Sequence, residues 1–221
     1  IPSTTSNNTV LVTGTGSIYS GYGTYLQGSE GCSFIVENGA VASNAYWWFR
    51  SGSSGVGNRM IVRNGGTVYG GIDYIGQGSS TENSNTVSII GGANVTSLWN
   101  FTRFGGDGLI QFFGGRNNAL IVDGAGYDHS AVATNLNYLQ LGGGGLGYSS
   151  AVIVTNKGRL YASGLLIAGS GVTGAVAVVC QGSKAFVAGL TIGSGAGSSN
   201  TVYVVDTNSL LDLKNAALTL G

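Results

Sequence analysis

Residues 8–18 read NTVLVTGTGSI and residues 200–210 read NTVYVVDTNSL. Each sets two apolar residues two positions apart, Val10 and Val12 in one and Val202 and Val204 in the other, ahead of turn formers. Side chains two apart on an extended chain point to the same side. The pattern therefore describes a short strand with one buried face, followed by a corner. The unit recurs between the two copies. Anchors equivalent to Val10 fall at Ser33, Met60, Val87, Leu120, Val152, Val176 and Val202, with spacings of 23, 27, 27, 33, 32, 24 and 26 residues. Two positions further on stand Val12, Ile35, Val62, Ile89, Val122, Val154, Val178 and Val204, which the repeat predicts to form one buried column. All are Val or Ile, and β-branched side chains suit a buried pleated surface. Six positions after the anchors, six of the eight residues are Gly, the residue best able to make a sharp corner.

Each unit continues with a second apolar stretch, as at Val68-Tyr69 or Leu160-Tyr161. A third ends in Leu or Ile before small residues: YIGQG (74–78), LLIAGSG (165–171), LTIGSG (190–195) and LTLG (218–221). No such unit can bury its apolar face alone, but stacked units build a continuous core. The prediction is an all-β fold: a parallel β-solenoid of about eight coils with three short strands per coil. Parallel crossovers are nearly always right-handed, so that hand is expected. Residues 1–221 read as a single domain, with an N-terminal arm at 1–7 and repeats over 8–221. The longest loops are expected around 104–118 and 141–150, because the coils anchored at Val87 and Leu120 are the longest. A leucine-rich repeat is set aside, since no L-x-x-L-x-L frame or helical period is present. A β-sandwich would not place a β-branched residue at one phase eight times.

The composition agrees. The 221 residues include 41 Gly and only 8% charged residues, with nine Lys+Arg against nine Asp+Glu. A neutral chain lacks the basic footprint of nucleic-acid binding and offers no electrostatic membrane attachment. No apolar run approaches the roughly 18 residues of a membrane-spanning helix. Neither nucleic acid nor membrane insertion is expected.

The frame N-x-V-x-[VI]-x-x-x-G followed by an L-x-[IL]-G strand resembles the autotransporter-associated β-strand repeats of bacterial surface and secreted proteins. The copies nearest the frame are NTVLVTGTGSIYS (8–20), NTVSIIGGANVTS (85–97), AVIVTNKGRLYASGLLIAGSG (151–171) and NTVYVVDTNSLLDL (200–213). The resemblance spans nearly the whole chain, although Ser33 replaces an apolar anchor and two coils carry insertions. It implies an extracellular or cell-surface location in a bacterium and a passenger, stalk or adhesin-like role. It implies no chemistry.

Candidate chemistry is sparse. Asp128, His129 and Ser130 match a catalytic triad by residue type, but neighbours on a chain do not converge as a triad requires. Asp107 and Asp123, on adjacent long coils, are the only carboxylates that loops could bring together. Cys32 and Cys180 lie five coils apart, about 24 Å at the usual strand spacing, beyond the reach of a disulfide. No cofactor or metal motif is legible, and the chain is read as non-enzymatic. The aromatics say more. Tyr25, Trp47, Tyr74, Arg103 and Tyr138 are expected to face outward at one phase of the third strand and to stack as a ladder, with Trp99 and Phe101 adding to it. Tyr, Trp and Arg are enriched at interfaces, so the ladder is a candidate surface for self-association or a glycan.

The expected function is an extracellular structural or adhesive solenoid, a stiff stalk or a fibre subunit that associates end to end or laterally. The alternatives are a β-helix enzyme acting on polysaccharides and a glycan-binding module without catalysis.

Overall fold

The computed structural model of the chain describes residues 6–26, 30–49, 56–75, 84–101, 109–167, 172–193 and 199–221. Those residues form strands, turns and no helix. The first strands of the repeats are β1 (Thr9–Thr13), β3 (Ser33–Glu37), β5 (Arg59–Arg63), β7 (Thr86–Ile90), β10 (Ala119–Asp123), β13 (Ala151–Thr155), β16 (Val176–Val179) and β19 (Thr201–Val204). They pair in parallel in that order as an eight-stranded sheet. Parallel neighbours separated by 24 to 33 residues are stacked coils, so the chain is a β-solenoid. It makes about six turns: six of the eight strands have a neighbour on both sides, and β1 and β19 are terminal rungs.

The other strands form a 13-stranded sheet wrapped around the remaining sides. In the first three repeats one long strand covers the second and third stretches: β2 (Ile18–Tyr25), β4 (Val41–Phe49) and β6 (Thr67–Ile75). After β6 the sheet forks. One branch continues through β8 (Ser97–Asn100), β11 (Ala131–Leu136), β14 (Arg159–Ala162), β17 (Lys184–Val187) and β20 (Leu210–Asp212). The other runs through β9 (Leu109–Arg116), β12 (Tyr138–Tyr148), β15 (Leu165–Ile167), β18 (Leu190–Ile192) and β21 (Leu218–Leu220). The expected three strands per coil are thus distinct only in the later repeats.

The core is a set of inward columns. On the first face they are Val10–Phe34–Met60–Val87–Leu120–Val152–Ala177–Val202 and Val12–Val36–Val62–Ile89–Val122–Val154–Val179–Val204. Two predicted members are therefore corrected. Ile35 and Val178 belong to the outward column, and Val36 and Val179 take their places. The segments Phe34-Ile35-Val36 and Val176–Val179 are apolar on both faces, so alternation cannot set their phase, and a one-residue slip exchanges the faces. Val204 is in the column but 45% exposed, because no rung covers it.

On the second face the inward column reads Tyr19–Ala42–Val68–Trp99–Ala133–Leu160–Ala185–Leu211. Large side chains lie beside small ones, which is how stacked layers interdigitate without voids. Trp99 fits between Val68 and Ala133 and is fully buried.

The corners after the first strand use two consecutive left-handed residues, as at Asn38-Gly39, Asn64-Gly65, Asn156-Lys157 and Gln181-Gly182. Asn tolerates this conformation better than most residues with a side chain. The corner before the first strand is held differently. Asn58, Asn85 and Asn118 are buried one above another, and each Oδ1 accepts the backbone N–H of the same position one coil back, on Cys32, Asn58 and Asn85 respectively. Asn200 repeats the contact on Ala175. This asparagine ladder satisfies donors that the bend would otherwise leave unpaired in the core.

Of the stretches expected as loops, residues 104–108 lie outside the described residues, and most of the remainder is strand. Residues 109–116 are β9 and residues 141–148 lie in β12. The two pair in parallel as far as Tyr148 and Arg116, with two register shifts. Adjacent coils both carry an insertion, so each supplies the other with a strand partner.

Candidate functional site

The predicted ladder splits on burial. Tyr25 is 39% exposed and its ring lies 4.7 Å, edge to face, from Trp48. Tyr22, 77% exposed, meets Tyr46 in the same manner at 5.6 Å. Tyr25 and Trp48 face each other in register, and Trp48 is in register with Tyr74, whose side chain lies outside the described residues. Arg103 also lies outside the described residues. Beyond Tyr74 the column continues through Gln140, Leu166, Thr191 and Thr219 by backbone register. Tyr138 is two residues out of that phase, beside Leu109; it is 36% exposed, and its ring lies over Gly164. Burial raises its phenol above the ordinary tyrosine pKa.

Trp47, Trp99 and Phe101 are not on the surface: all three are buried in the core. Trp47 and Trp99 meet edge to face at 6.0 Å, and Trp99 stacks on Phe101 at 5.1 Å. Their placement works because each indole N–H finds a carbonyl. Trp47 Nε1 donates to Tyr69 O at 3.2 Å and Trp99 Nε1 donates to Gly70 O at 2.9 Å. Buried tryptophan generally requires such a partner. In Tyr46-Trp47-Trp48-Phe49 every residue is aromatic, so only the register with β2 decides that Trp48, not Trp47, faces outward.

The outer aromatic surface is therefore two edge-to-face pairs on β2 and β4. A second outward stack lies in the later coils, where sequence reasoning did not place one. Tyr161 and Phe186 stack at 4.9 Å, and Lys214 Nζ sits 4.5 Å above the Phe186 ring. The signal was Leu160-Tyr161 one coil before Ala185-Phe186, the same inward–outward pair at the same phase.

Asp128, His129 and Ser130 do not form a triad. Arg159, from the next coil, clasps Asp128 with both oxygens engaged, at 2.9 Å to Oδ1 and 3.0 Å to Oδ2. This hydrogen bonding holds the Asp128 carboxyl below its ordinary pKa, against the upward push of burial. His129 is exposed, with Nε2 at 3.8 Å from Asp128 Oδ2. Ser130 is buried, and its hydroxyl lies 2.5 Å from Gly124 O and 2.8 Å from Tyr127 O. The serine is a strut for the corner. Asp123 accepts from Ala125 N and Asn156 Nδ2 and closes the same corner. Asp107 lies outside the described residues. Cys32 is buried, Cys180 is half-buried, and both are free thiols. Among the described residues no three His, Cys, Asp or Glu side chains come together in a way that could hold a metal ion.

Fold and surfaces together define the class: a parallel β-solenoid whose outward features are aromatic pairs and a built-up corner. No protein family, curated protein or solved structure matches this chain.

Proposed function

We propose that the protein is a structural, adhesive solenoid acting at the outside of a bacterial cell, where copies associate end to end, and laterally through the aromatic pairs, without catalysis. The observation that carries the reading is the pair of outward aromatic contacts on β2 and β4, where Tyr22 meets Tyr46 and Tyr25 meets Trp48 edge to face. Val204, Leu218 and Leu220 continue inward columns, yet are 45%, 53% and 71% exposed. Among the described residues, strands β19, β20 and β21 each have a strand partner on one side only, as do β1 and β2 at the opposite end of the stack. A free edge is a template for another strand. By register Val12 shares the column of Val204 and Tyr19 the column of Leu211, so β1 and β2 of a second copy would continue those two columns. Such a contact joins unlike surfaces and does not close, so it propagates as a fibre. A chain with few charges and no net charge opposes this association little. The extracellular part of the reading is supported by the resemblance of the repeat.

The test is negative-stain microscopy with sedimentation of the purified chain over a range of concentrations. Rods that lengthen with concentration are expected, and Leu218→Lys combined with Leu220→Lys should leave short particles. Monomers at every concentration would sink the reading.

A further inference from the structure

One corner is longer than the rest. After β3, β5, β13 and β16 the chain turns in three or four residues and after β7 in the six residues 91–96, whereas after β10 it takes the seven residues 124–130, with a left-handed pair at Ala125-Gly126. That segment is braced. Ser130 Oγ ties it to the carbonyls of Gly124 and Tyr127, Tyr127 N bonds back to Gly124 O, and Arg159 clasps Asp128 from the neighbouring coil. The result is a ridge that presents Tyr127, 51% exposed, above its surroundings. An insertion at one corner of a repeat often marks the binding face.

A cavity of about 390 Å³ lies on each side of the ridge, and Asp128 and Lys157 line both. The first reaches back to Asn94 and Thr96; the second runs on past Gln181 and Lys184 to Asn208. The two make one groove along the corners of five successive coils, four steps of about 4.8 Å each. Its charge is one-sided. Asp128 is neutralised by Arg159, while Lys157 and Lys184 have no ion-pair partner among the described residues. Side-chain amides and hydroxyls supply most of the remaining polar lining.

We propose that this groove binds a linear acidic oligosaccharide, with the ligand's carboxylates at Lys157 and Lys184, its hydroxyls at the amides, and a sugar ring against Tyr127. An open groove along the solenoid axis suits an extended polymer. Amides and an aromatic ring suit hydroxyl-rich rings, and the two free cations select a charged polymer over a neutral one. An acidic peptide is less well matched, because the corners offer neither a strand edge to extend nor an apolar pocket for a side chain. The site uses none of the outer aromatic pairs and reaches the last coil only at Thr207 and Asn208.

The experiment is calorimetric titration of the purified chain at low salt with a short oligouronate, a neutral oligosaccharide of equal length and an acidic peptide of equal charge. The oligouronate should bind, weaken as salt is raised, and weaken about tenfold in Lys157→Gln/Lys184→Gln, a loss of about 1.4 kcal/mol. Lys214→Gln, away from the groove, should bind as the parent does, and thermal unfolding of each variant checks its fold. No binding of the oligouronate, equal binding by the double variant, or tighter binding of either competitor overturns the proposal.

Discussion

Asn85 occupies a corner where the backbone has no strand partner for its donors. Its side chain accepts the N–H of Asn58, and its own N–H is accepted by Asn118. Asn85→Ala would leave the buried Asn58 N–H without its acceptor. Such a loss costs about 1–3 kcal/mol, so chemical denaturation should show a destabilisation of that size. Asn200→Ala makes the matching deletion at a partly exposed corner near one end, where water can substitute, and should cost clearly less. Equal losses would mean that the ladder is not what stabilises the corner. The ladder was half visible in sequence: the Asn of the repeated Asn-Thr-Val stands at positions 8, 85 and 200. Asn58 and Asn118 follow other residues into the same column, while Cys32, Ser150 and Ala175 interrupt it. A residue defined by what it bonds one coil away leaves little local signature.

At the scale of the strand and its corner, period two was enough wherever one face was apolar and the other polar. It failed where both faces were apolar. Ile35 and Val178 belong to an outward column with Leu11, Ile61, Ile121 and Ile153, so composition could not tell inside from outside. Trp47 and Trp99 were misplaced for a related reason. Their burial depends on small neighbours in the stacked coils, such as Ala133 beside Trp99, and those lie more than twenty residues away in sequence. The corner glycines were legible, but for only part of their reason. Gly39 has the left-handed φ of 78° that the repeat suggests. Gly158, one position further along the corner, does not; a Cβ there would lie 2.3 Å from Val122 O in the coil below. The constraint at that corner is close approach between coils. Gly158→Ala must push two rungs apart, and overpacking of this kind typically costs about 1–3 kcal/mol. A lowered melting temperature is expected, and unchanged thermal stability would show that the corner relaxes freely.

For the whole molecule, stability is close to a sum of rung-to-rung contacts, because each coil touches mainly its neighbours. The central rungs β7, β10 and β13 are covered on both sides, while β19 has one neighbour. Hydrogen exchange should therefore show strongest protection in the central rungs and progressive loss toward β19, β20 and β21. Uniform protection along the stack would contradict a rung-by-rung account. The candidate surfaces were less legible than the stack. The repeat announces that a coil exists, whereas the ridge at 124–130 and its lysines become a groove only when five corners are aligned.

Because every rung of the first sheet runs in the same direction, the two ends of the molecule are chemically unlike. One end is partly plugged by Tyr19, edge-on to Phe34 at 5.0 Å, and the other bares Leu218 and Leu220. A chain of such units has a head and a tail, like an arrow. Its two tips should lengthen at different speeds, and a copy blocked at only one tip would act as a terminator. A small admixture of Leu218→Lys/Leu220→Lys molecules would then shorten every fibre in the mixture while leaving its opposite tip free to grow.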